Sequence, residues 1–375
     1  MKEQMLPATS QRTIECNFIE AAQQRVEGMR AWKLEELEPP TVLELETVLC
    51  HSVRRCDLLA QNWRNRVYRI ELNNGDAVLA KQGLMATGAM LEYQYEELLE
   101  LRELRIPSLH VPKPFGLMRE KRILLMEFAC GETIEALVWN REREQELRQA
   151  CELAGKILGQ IELAQTKNIA PIPIAALAHD LSLAPWSLSK PHQILLARVF
   201  DRLAGVEIRL GKVYYDYKAA NLLFENGGLS LIDPPDVFRR GVLLWDFACF
   251  RSSMRRHLWR LSVRNPITAP RELVHQSQQA FERSYLASVG QPQLEPALFS
   301  MVVQLLELQR TGVLITMQQG KVDLAKRRTP IAQGKRLGGF LGNRLTLPLL
   351  DIEKRWLLRQ LSRMPCCSTT VRGPD

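Results

Sequence analysis

A short segment in the second half of the chain carries polar side chains that could act together on a phosphate group. Asp216 and Asn221 stand five residues apart, and Asp233 follows at the end of an apolar stretch, 229–232. Phosphoryl transfer from ATP uses a carboxylate beside the acceptor hydroxyl, with an amide and a second carboxylate as oxygen ligands for Mg2+. The spacing therefore predicts Asp216 as the catalytic carboxylate and Asn221 and Asp233 as metal ligands.

The same chemistry needs a cation on the nucleotide phosphates, and Lys81 is the candidate. Lys81 ends an extended segment, and a helix rich in glutamate follows it. Glu92 and Glu96 lie one turn apart on that helix, so either could pair with Lys81, and we favour Glu92. The ordinary alternatives are carboxylates that cap turns and a lysine at the edge of a sheet. The order and spacing of the whole set favour the chemical interpretation.

The elements around these residues indicate a strand-rich first part and a helix-rich second part. Strands over 67–72 and 77–81 flank the turn residues 73–76, and a helix over 89–105 and a strand over 122–128 follow. Beyond residue 131 the sequence predicts helices over 132–139, 141–163 and 192–210, strands over 221–224 and 229–232, and helices over 245–364 with breaks near 266–270, 290–296 and 334–342. The fold class predicted is α+β.

Several segments match, in order, the motifs of one family. Asn65-Arg-Val-Tyr-Arg-Ile70 resembles its first hairpin, and Leu125-Met-Glu-Phe-Ala-Cys-Gly131 resembles its hinge. Asp216 and Asn221 match its loop "His-Gly-Asp-Leu-His-x-x-Asn", Leu231-Ile-Asp233-Pro matches its metal-binding Asp, and Trp245-Asp-Phe-Ala248 resembles the segment that seats this loop. Over about residues 55 to 255 the chain thus resembles the protein-kinase-like fold and, within it, the aminoglycoside phosphotransferase and choline kinase-like family.

The resemblance implies a two-lobed protein-kinase-like fold, with a strand-rich N-lobe and a mainly helical C-lobe. It implies ATP and Mg2+ as cofactors, with Glu127 and Ala129 of the hinge beside the nucleotide. The implied acceptor is a hydroxyl of a small molecule or glycoconjugate. Lys218 stands where protein kinases usually have Lys, so it is expected to contact the γ-phosphate as a second catalytic residue. It also keeps a protein acceptor open as an alternative.

Three features depart from the family pattern. Tyr214 replaces the usual His before the catalytic loop, and Pro234 and Pro235 follow Asp233 in place of a glycine. The prolines stiffen that loop and disfavour a flipping activation segment. Residues 51–66 contain no glycine, so no glycine loop covers the phosphates. That absence leaves a non-catalytic pseudokinase as an alternative.

The positive charge is concentrated near the C terminus. The chain has 50 Lys and Arg against 42 Asp and Glu, and residues 310–363 hold twelve basic residues against three acids. This segment could dock on an anionic membrane surface, with a lipid-linked sugar as acceptor, or could simply be a solvated face. It lacks aromatic interleaving, so sequence-specific nucleic-acid binding is disfavoured.

The composition is typical of a globular protein, with 46% hydrophobic and 25% charged residues. We expect a cytoplasmic location, with docking at the inner membrane face as the alternative. The expected domains are an N-terminal extension (1–40), an N-lobe that binds the nucleotide (41–130), a helical C-lobe (131–364) and a flexible tail (365–375).

Overall fold

The computed structural model describes residues 17–31, 37–61, 65–84, 88–235, 240–264, 270–290, 294–327 and 337–364. Side chains are described for these residues except 29–31, 88–89, 141, 264, 321–327 and 337–345. A strand-rich first part and a mainly helical second part confirm the predicted α+β class.

The first part contains a five-stranded antiparallel sheet with the strand order β1-β2-β3-β6-β5. In chain order its elements are α1 (Phe18–Ala31), α2 (Val42–Leu49), β1 (Val53–Gln61), β2 (Asn65–Leu72), β3 (Ala77–Gly83), α3 (Gly88–Glu103), β4 (Leu109–His110), β5 (Pro114–Met118) and β6 (Ile123–Glu127). The β2–β3 hairpin, α3 and β6 lie where the sequence predicts them, within two residues at each end.

Local chemistry explains the hairpin that carries Lys81. Gly75 adopts a φ of +91°, which a side chain rarely tolerates, and the Asn74 side chain accepts a hydrogen bond from the Asp76 amide at 3.1 Å. In the sheet Lys81 lies opposite Leu124, which is buried in the core that also holds residues of α3. Directly opposed residues share one face of a sheet, so Lys81 points toward the α3 side.

The second part is mainly helical, with two small sheets of order β4-β11-β10-β7 and β12-β9-β8. Its elements are β7 (Glu132–Thr133), α4 (Ile134–Leu137), α5 (Glu144–Gln165), β8 (Thr166–Pro171), α6 (Ile174–Ser182), α7 (Lys190–Leu203), β9 (Glu207–Lys212), β10 (Leu222–Glu225), β11 (Gly228–Leu231), β12 (Arg240–Val242), α8 (Leu244–Arg264), α9 (Arg271–Ser288), α10 (Pro296–Arg327) and α11 (Leu337–Ser362). Two 3-10 turns, Arg141–Arg143 and Ala219–Asn221, complete it.

Two predicted helices in this part are wrong in extent. The helix over 192–210 ends at Leu203, because Gly205 turns the chain with a φ of +77° and Ile208 and Leu210 then alternate inward along β9. The helix over 132–139 shrinks to α4. Its first residues instead pair with β10, and the Thr133 side chain caps the helix by accepting a hydrogen bond from the Ala136 amide.

Helix α10 is the central helix of this part and packs against α1, α8 and α11. Its segment Pro296–Gly320 is long and apolar enough to cross a membrane by composition, and 78% of its most apolar window is buried inside the protein.

Helices α5 and α9 approach each other closely: a Cβ on Gly155 would lie 2.1 Å from the Phe281 carbonyl oxygen. Only glycine fits there.

Helix α1 lies in the region expected to be an N-terminal extension, and it packs on the helical part. The Phe18 ring stacks on Trp245 with ring centroids 4.0 Å apart. The amides of Ile19 and Glu20 donate to the Asp180 carboxylate at 2.9–3.1 Å, which satisfies two otherwise free donors of the helix N-terminus. Phe18, Ile19 and Ala22 of α1 thus belong to the same core as Tyr214 and Tyr217.

Candidate active site

Asp216 lies in the loop after β9, where two cations hold its carboxylate. Lys218 Nζ donates to Oδ2 at 2.5 Å, and Arg310 Nη2 of α10 donates to Oδ1 at 2.9 Å. Burial opposes ionisation, but the charges of Lys218 and Arg310 outweigh it and hold the pKa of Asp216 well below its ordinary value. A carboxylate of such low basicity is better suited to orienting a hydroxyl than to removing its proton.

The backbone just before Asp216 is held in an unusual conformation. Tyr215 has a φ of +75°, and its carbonyl oxygen accepts hydrogen bonds from Trp245 Nε1 at 3.1 Å and from Arg310 Nη1 at 3.3 Å. The Tyr214 amide donates to Asp246 Oδ2 at 2.6 Å, and burial raises the pKa of Asp246 to about 7. Such strain persists only when the surroundings fix it, and here they present Asp216 to the cleft.

Asn221 and Asp233 come close to Asp216 through the β10–β11 hairpin. Asn221 Nδ2 donates to the Asp216 carbonyl oxygen at 3.1 Å and to Oδ2 at 3.3 Å. Asn226 and Gly227 turn the hairpin with positive φ angles, and the Ile232 amide donates back to the Asn221 carbonyl oxygen at 3.0 Å. The chain therefore returns to the loop immediately before Asp233.

Lys81 reaches Asp233 directly. Its Nζ donates to Asp233 Oδ1, although 152 residues separate the two in sequence. Burial would raise the pKa of Asp233, but the Lys81 ammonium outweighs this effect and lowers it. The ion pair joins the two lobes at the edge of the cleft.

The expected glutamate partner of Lys81 is not where the sequence suggested. Glu92 accepts a hydrogen bond from Arg119 Nε at 2.7 Å on the outer side of α3, and Glu96 is exposed. The residue of α3 that reaches the site is Gln94, whose Nε2 donates to the Pro234 carbonyl oxygen at 3.0 Å. Helical spacing allowed the glutamates to face Lys81, but the rotation of α3 about its axis, which packing sets, turns them away.

A second ionic contact of α3 lies away from the cleft. Lys212 Nζ of β9 contacts Glu97 Oε2 and Glu100 Oε2, each at 2.5 Å. Glu97 is buried. The two ion pairs of Lys212 fix α3 to the helical part without involving Lys81.

Of the two hinge residues, Glu127 ends β6 and Ala129 follows it. The Glu127 carboxylate accepts a hydrogen bond from the Lys113 amide at 3.0 Å and lies 3.4 Å from His110 Nε2. The Glu127 amide in turn donates to the Lys113 carbonyl oxygen at 2.8 Å, so both its side chain and its amide hold the neighbouring loop. Ala129 is half-buried.

A cavity of about 640 Å3 opens at Asp216 and Asp233. It extends between α1, α3, α4, α8, α10 and α11, and the described hinge residues do not line it. Its volume is in the range of small-molecule sites. The cavity therefore reaches Asp216 without contact with the described hinge residues.

The donor chemistry fits a hard divalent cation that arrives with a nucleotide. Asp233 offers a carboxylate and Asn221 an amide oxygen, whereas the described residues contain no group of three or more His, Cys, Asp or Glu that could hold a metal alone. Mg2+ usually takes one or two protein carboxylates and completes its shell with phosphate oxygens and water. Two ligands at the cleft match that pattern.

The sequence did not identify Arg310 as a residue of the candidate active site. It was counted in the basic segment 310–363, but its side chain is only 4% exposed and lies on Asp216. Within the rest of that segment, Lys354 and Arg355 pair with Asp351. The basic side chains at 321, 326, 327, 328, 335, 336 and 344 are outside those that the structure describes. No motif marks Arg310, because its contact arises from the path of α10.

Comparison with known proteins agrees with this geometry. Residues 56–269, more than half of the chain, match the model of the phosphotransferase enzyme family. No curated protein sequence matches the chain significantly.

Solved structures share the fold at low sequence identity. A protein from Ralstonia eutropha assigned to the aminoglycoside phosphotransferases matches with a TM-score of 0.53 at 13% identity, covering 89% of this chain and 98% of the other. The amicoumacin kinase hAmiN, in complex with AMP-PNP, Ca2+ and Ami, matches with a TM-score of 0.51 at 14% identity, covering 93% and 98%. A choline/ethanolamine kinase family protein from Mesorhizobium loti matches with a TM-score of 0.50 at 14% identity, covering 94% and 97%.

The match in sequence and the match in fold meet at the same residues. The family segment includes Lys81, Asp216, Asn221 and Asp233, which the structure brings to one cleft. The chain therefore belongs to the phosphotransferase enzyme family and is a kinase.

Proposed function

We propose that this kinase uses ATP and Mg2+ and transfers the γ-phosphate to a hydroxyl of a small molecule or glycoconjugate. The observation that carries the proposal is the convergence of Lys81, Asp233, Asn221 and Asp216, of which Asp216 and Asp233 line one cavity. These are the cation, metal-ligand and carboxylate functions that phosphoryl transfer requires.

Each side chain then has a defined task. Lys81 exchanges its contact with Asp233 for the nucleotide phosphates, which frees Asp233, with Asn221, to hold Mg2+. Mg2+ held by these two side chains would supply positive charge to the phosphates. Asp216 orients the acceptor hydroxyl, and Lys218 lies beside it to stabilise charge on the moving phosphoryl group. Catalysis is then mostly positioning and electrostatic stabilisation.

The nucleotide and the acceptor are expected on opposite sides of Asp216. Glu127 and Ala129 mark the nucleotide side, by their place in the hinge, and the 640 Å3 cavity is the acceptor side. The volume of this cavity is in the range that binds small molecules. The observations on the basic segment add no support to a membrane-bound acceptor.

The test is phosphate transfer by the full-length protein from labelled ATP with Mg2+. Sugars, aminoglycosides, choline-like alcohols and peptides serve as acceptors, and Asp216→Asn is compared with Asp201→Asn, an exposed residue of α7. We expect Asp216→Asn to lower transfer by about 10²-fold or more, because the neutral amide loses the ionic contacts that position the side chain. Asp201→Asn should leave it unchanged, and ATP with Mg2+ should raise the melting temperature of all three proteins.

Two results would contradict the proposal. Transfer by Asp216→Asn at nearly the wild-type rate would remove Asp216 from the reaction. Absence of both transfer and stabilisation by ATP with Mg2+ would favour a non-catalytic binding module instead.

A further inference from the structure

The acceptor cavity is lined by basic side chains that the proposed transfer chemistry does not use. Arg256, His257 and Arg260 of α8 line it, as does Arg25 of α1. Arg260 is three residues from His257 and four from Arg256, the two spacings at which helical side chains are neighbours, and all three side chains line the cavity.

Carboxylates in the described lining are all paired with cations. They are Glu135, Asp216 and Asp233. Asp216 and Asp233 hold the contacts given above, and Glu135 Oε1 lies 2.9 Å from His257 Nδ1 and 4.0 Å from Arg260 Nη1. A positively charged acceptor would therefore have to displace one of these internal cations to find a carboxylate.

His257 is the most enclosed member of this group. Its side chain is 5% exposed, its ring packs edge-on against Trp139 with centroids 5.2 Å apart, and its Nε2 has no hydrogen-bond partner. The Nδ1 side of the ring faces the Glu135 carboxylate, which leaves Nε2 as the ring atom that a ligand in the cavity could meet. A buried polar atom that lacks a partner costs free energy unless a ligand supplies one.

The arginines differ in how firmly the protein holds them. Arg256 Nη1 contacts the buried Glu353 carboxylate at 3.2 Å, so part of its guanidinium is committed to the core. The Arg260 side chain is 48% exposed, and its contact with Glu135 is long. Its guanidinium is therefore the one best able to meet a ligand, and a planar guanidinium suits carboxylate and phosphate geometry.

Lys218 connects this cluster to the catalytic loop. Lys218 lines the same cavity as Glu135, His257 and Arg260, and its Nζ contacts Asp216 Oδ2. A ligand bound by Arg260 and His257 would place its other end near Asp216.

We propose that Arg256, His257 and Arg260 form an anion subsite, and that the acceptor is a small hydroxyl compound bearing a carboxylate or a phosphate monoester. This rests on the proposed function for the identity of the reaction, but anion binding by the subsite is a separate property. The subsite holds the anionic group, and Asp216 orients the hydroxyl.

Binding is tested first, without nucleotide, on the full-length protein. Four sugars of one scaffold are titrated by calorimetry: glucosamine, glucose, glucuronate and glucose 6-phosphate, of which the last two separate a carboxylate from a phosphate. The variants are Arg260→Glu and, as a matched charge reversal, Arg198→Glu on the exposed side of α7. We expect at least one anionic sugar to bind, and Arg260→Glu to weaken it by about tenfold or more. Arg198→Glu should have no effect.

Transfer from ATP with Mg2+ is then measured with the same four sugars. Preference for an anionic sugar over glucose and glucosamine, lost in Arg260→Glu, supports the proposal. Anion binding that does not change in Arg260→Glu overturns it, because the anion then sits elsewhere, such as at Lys81. Failure of both anionic sugars to bind, or preferred transfer to glucosamine, also overturns it while leaving the proposed kinase reaction intact. Anion binding that depends on Arg260, without transfer to any acceptor, supports the subsite and counts against the proposed reaction.

Discussion

Arg310 of α10 donates to both the Asp216 carboxylate and the Tyr215 carbonyl oxygen, at 2.9 and 3.3 Å. The central helix of the second part thus contacts the residue proposed to orient the acceptor and the strained peptide before it. The Arg310 side chain is only 4% exposed, so little water screens these contacts. Position and charge of Asp216 therefore depend on a helix that begins 80 residues later in the chain.

Substitution of Arg310 tests how much its contact with Asp216 stabilises the fold. Arg310→Gln leaves the half-buried Asp216 carboxylate with Lys218 as its remaining cation, and we expect the free energy of unfolding to fall by about 1.5–3 kcal/mol. Arg310→Lys keeps the charge and should recover part of this loss. Chemical denaturation measures both, with the exposed Arg202→Gln on α7 as control. An unfolding free energy of Arg310→Gln equal to the wild type would contradict the assigned pair.

The pH dependence of activity provides a second readout of the same pair. Arg310 lowers the pKa of Asp216, so its removal raises that pKa. The ionised carboxylate of Asp216 is a stronger acceptor for the acceptor hydroxyl than the protonated acid, and the acid limb of kcat/KM should therefore move to higher pH in Arg310→Gln. Arg310→Lys should show a smaller movement. Identical acid limbs in the three proteins would show that Arg310 does not tune Asp216.

The contact between Lys81 and Asp233 predicts energetic coupling between the lobes. Lys81→Met leaves Asp233 ionised and without its cation, and Asp233→Asn leaves Lys81 without its carboxylate. Each single change should destabilise the fold, and the double variant should cost less than the sum, with a coupling of about 0.5–3 kcal/mol. All three variants should lack phosphate transfer. Strictly additive losses of stability would argue against the ion pair.

Much of the first part of the fold could be predicted from the sequence, because it follows from local chemistry. Turn residues at 73–76 and period-two alternation define the β2–β3 hairpin, and the strand at 123–127 is a continuous apolar run. The strand Glu207–Lys212 was missed because it follows a helix with a similar apolar content, and only the turn at Gly205 separates them.

Some residues of the candidate site could likewise be predicted from the sequence, and others could not. Motif spacing identified Asp216, Asn221 and Asp233, which one loop and one hairpin bring together. Arg310 and Gln94 had no such signal, since their side chains reach the site through the packing of whole helices. The rotation of α3 likewise decides that Glu92 meets Arg119, which helical spacing alone cannot determine.

Helix α1 is expected to support the acceptor side of the cavity. Phe18 anchors it on Trp245, and Ala21, Ala22, Gln24 and Arg25 of the same helix line the cavity. Phe18→Ala removes a fully buried ring, and we expect it to lower the free energy of unfolding by about 3–5 kcal/mol. It should also raise KM for the acceptor more than KM for ATP. Phe18→Leu, the control, should show smaller changes in both, and equal effects on the two KM values would remove α1 from the acceptor site.

Glu162 of α5 predicts how stability depends on pH. Burial raises the pKa of Glu162 to about 8, and Tyr285 donates a hydrogen bond to its carboxyl at 2.5 Å. In the unfolded chain the same carboxyl ionises near its ordinary pKa of 4.5. Between these two values the folded state holds one proton more than the unfolded state, so stability falls as pH rises, by up to about 1.4 kcal/mol per pH unit from this group.

Substitution of Glu162 isolates this contribution. Glu162→Gln keeps an oxygen acceptor for Tyr285 but cannot ionise, so its unfolding free energy should fall less between pH 5 and pH 8 than that of the wild type. Urea denaturation at four pH values across this range measures the difference. Glu152→Gln, at an exposed position of the same helix, should retain the wild-type slope. If Glu162→Gln and the wild type lose stability in parallel, Glu162 is ionised in the folded protein, and the carboxylate must be stabilised inside the core by its neighbours.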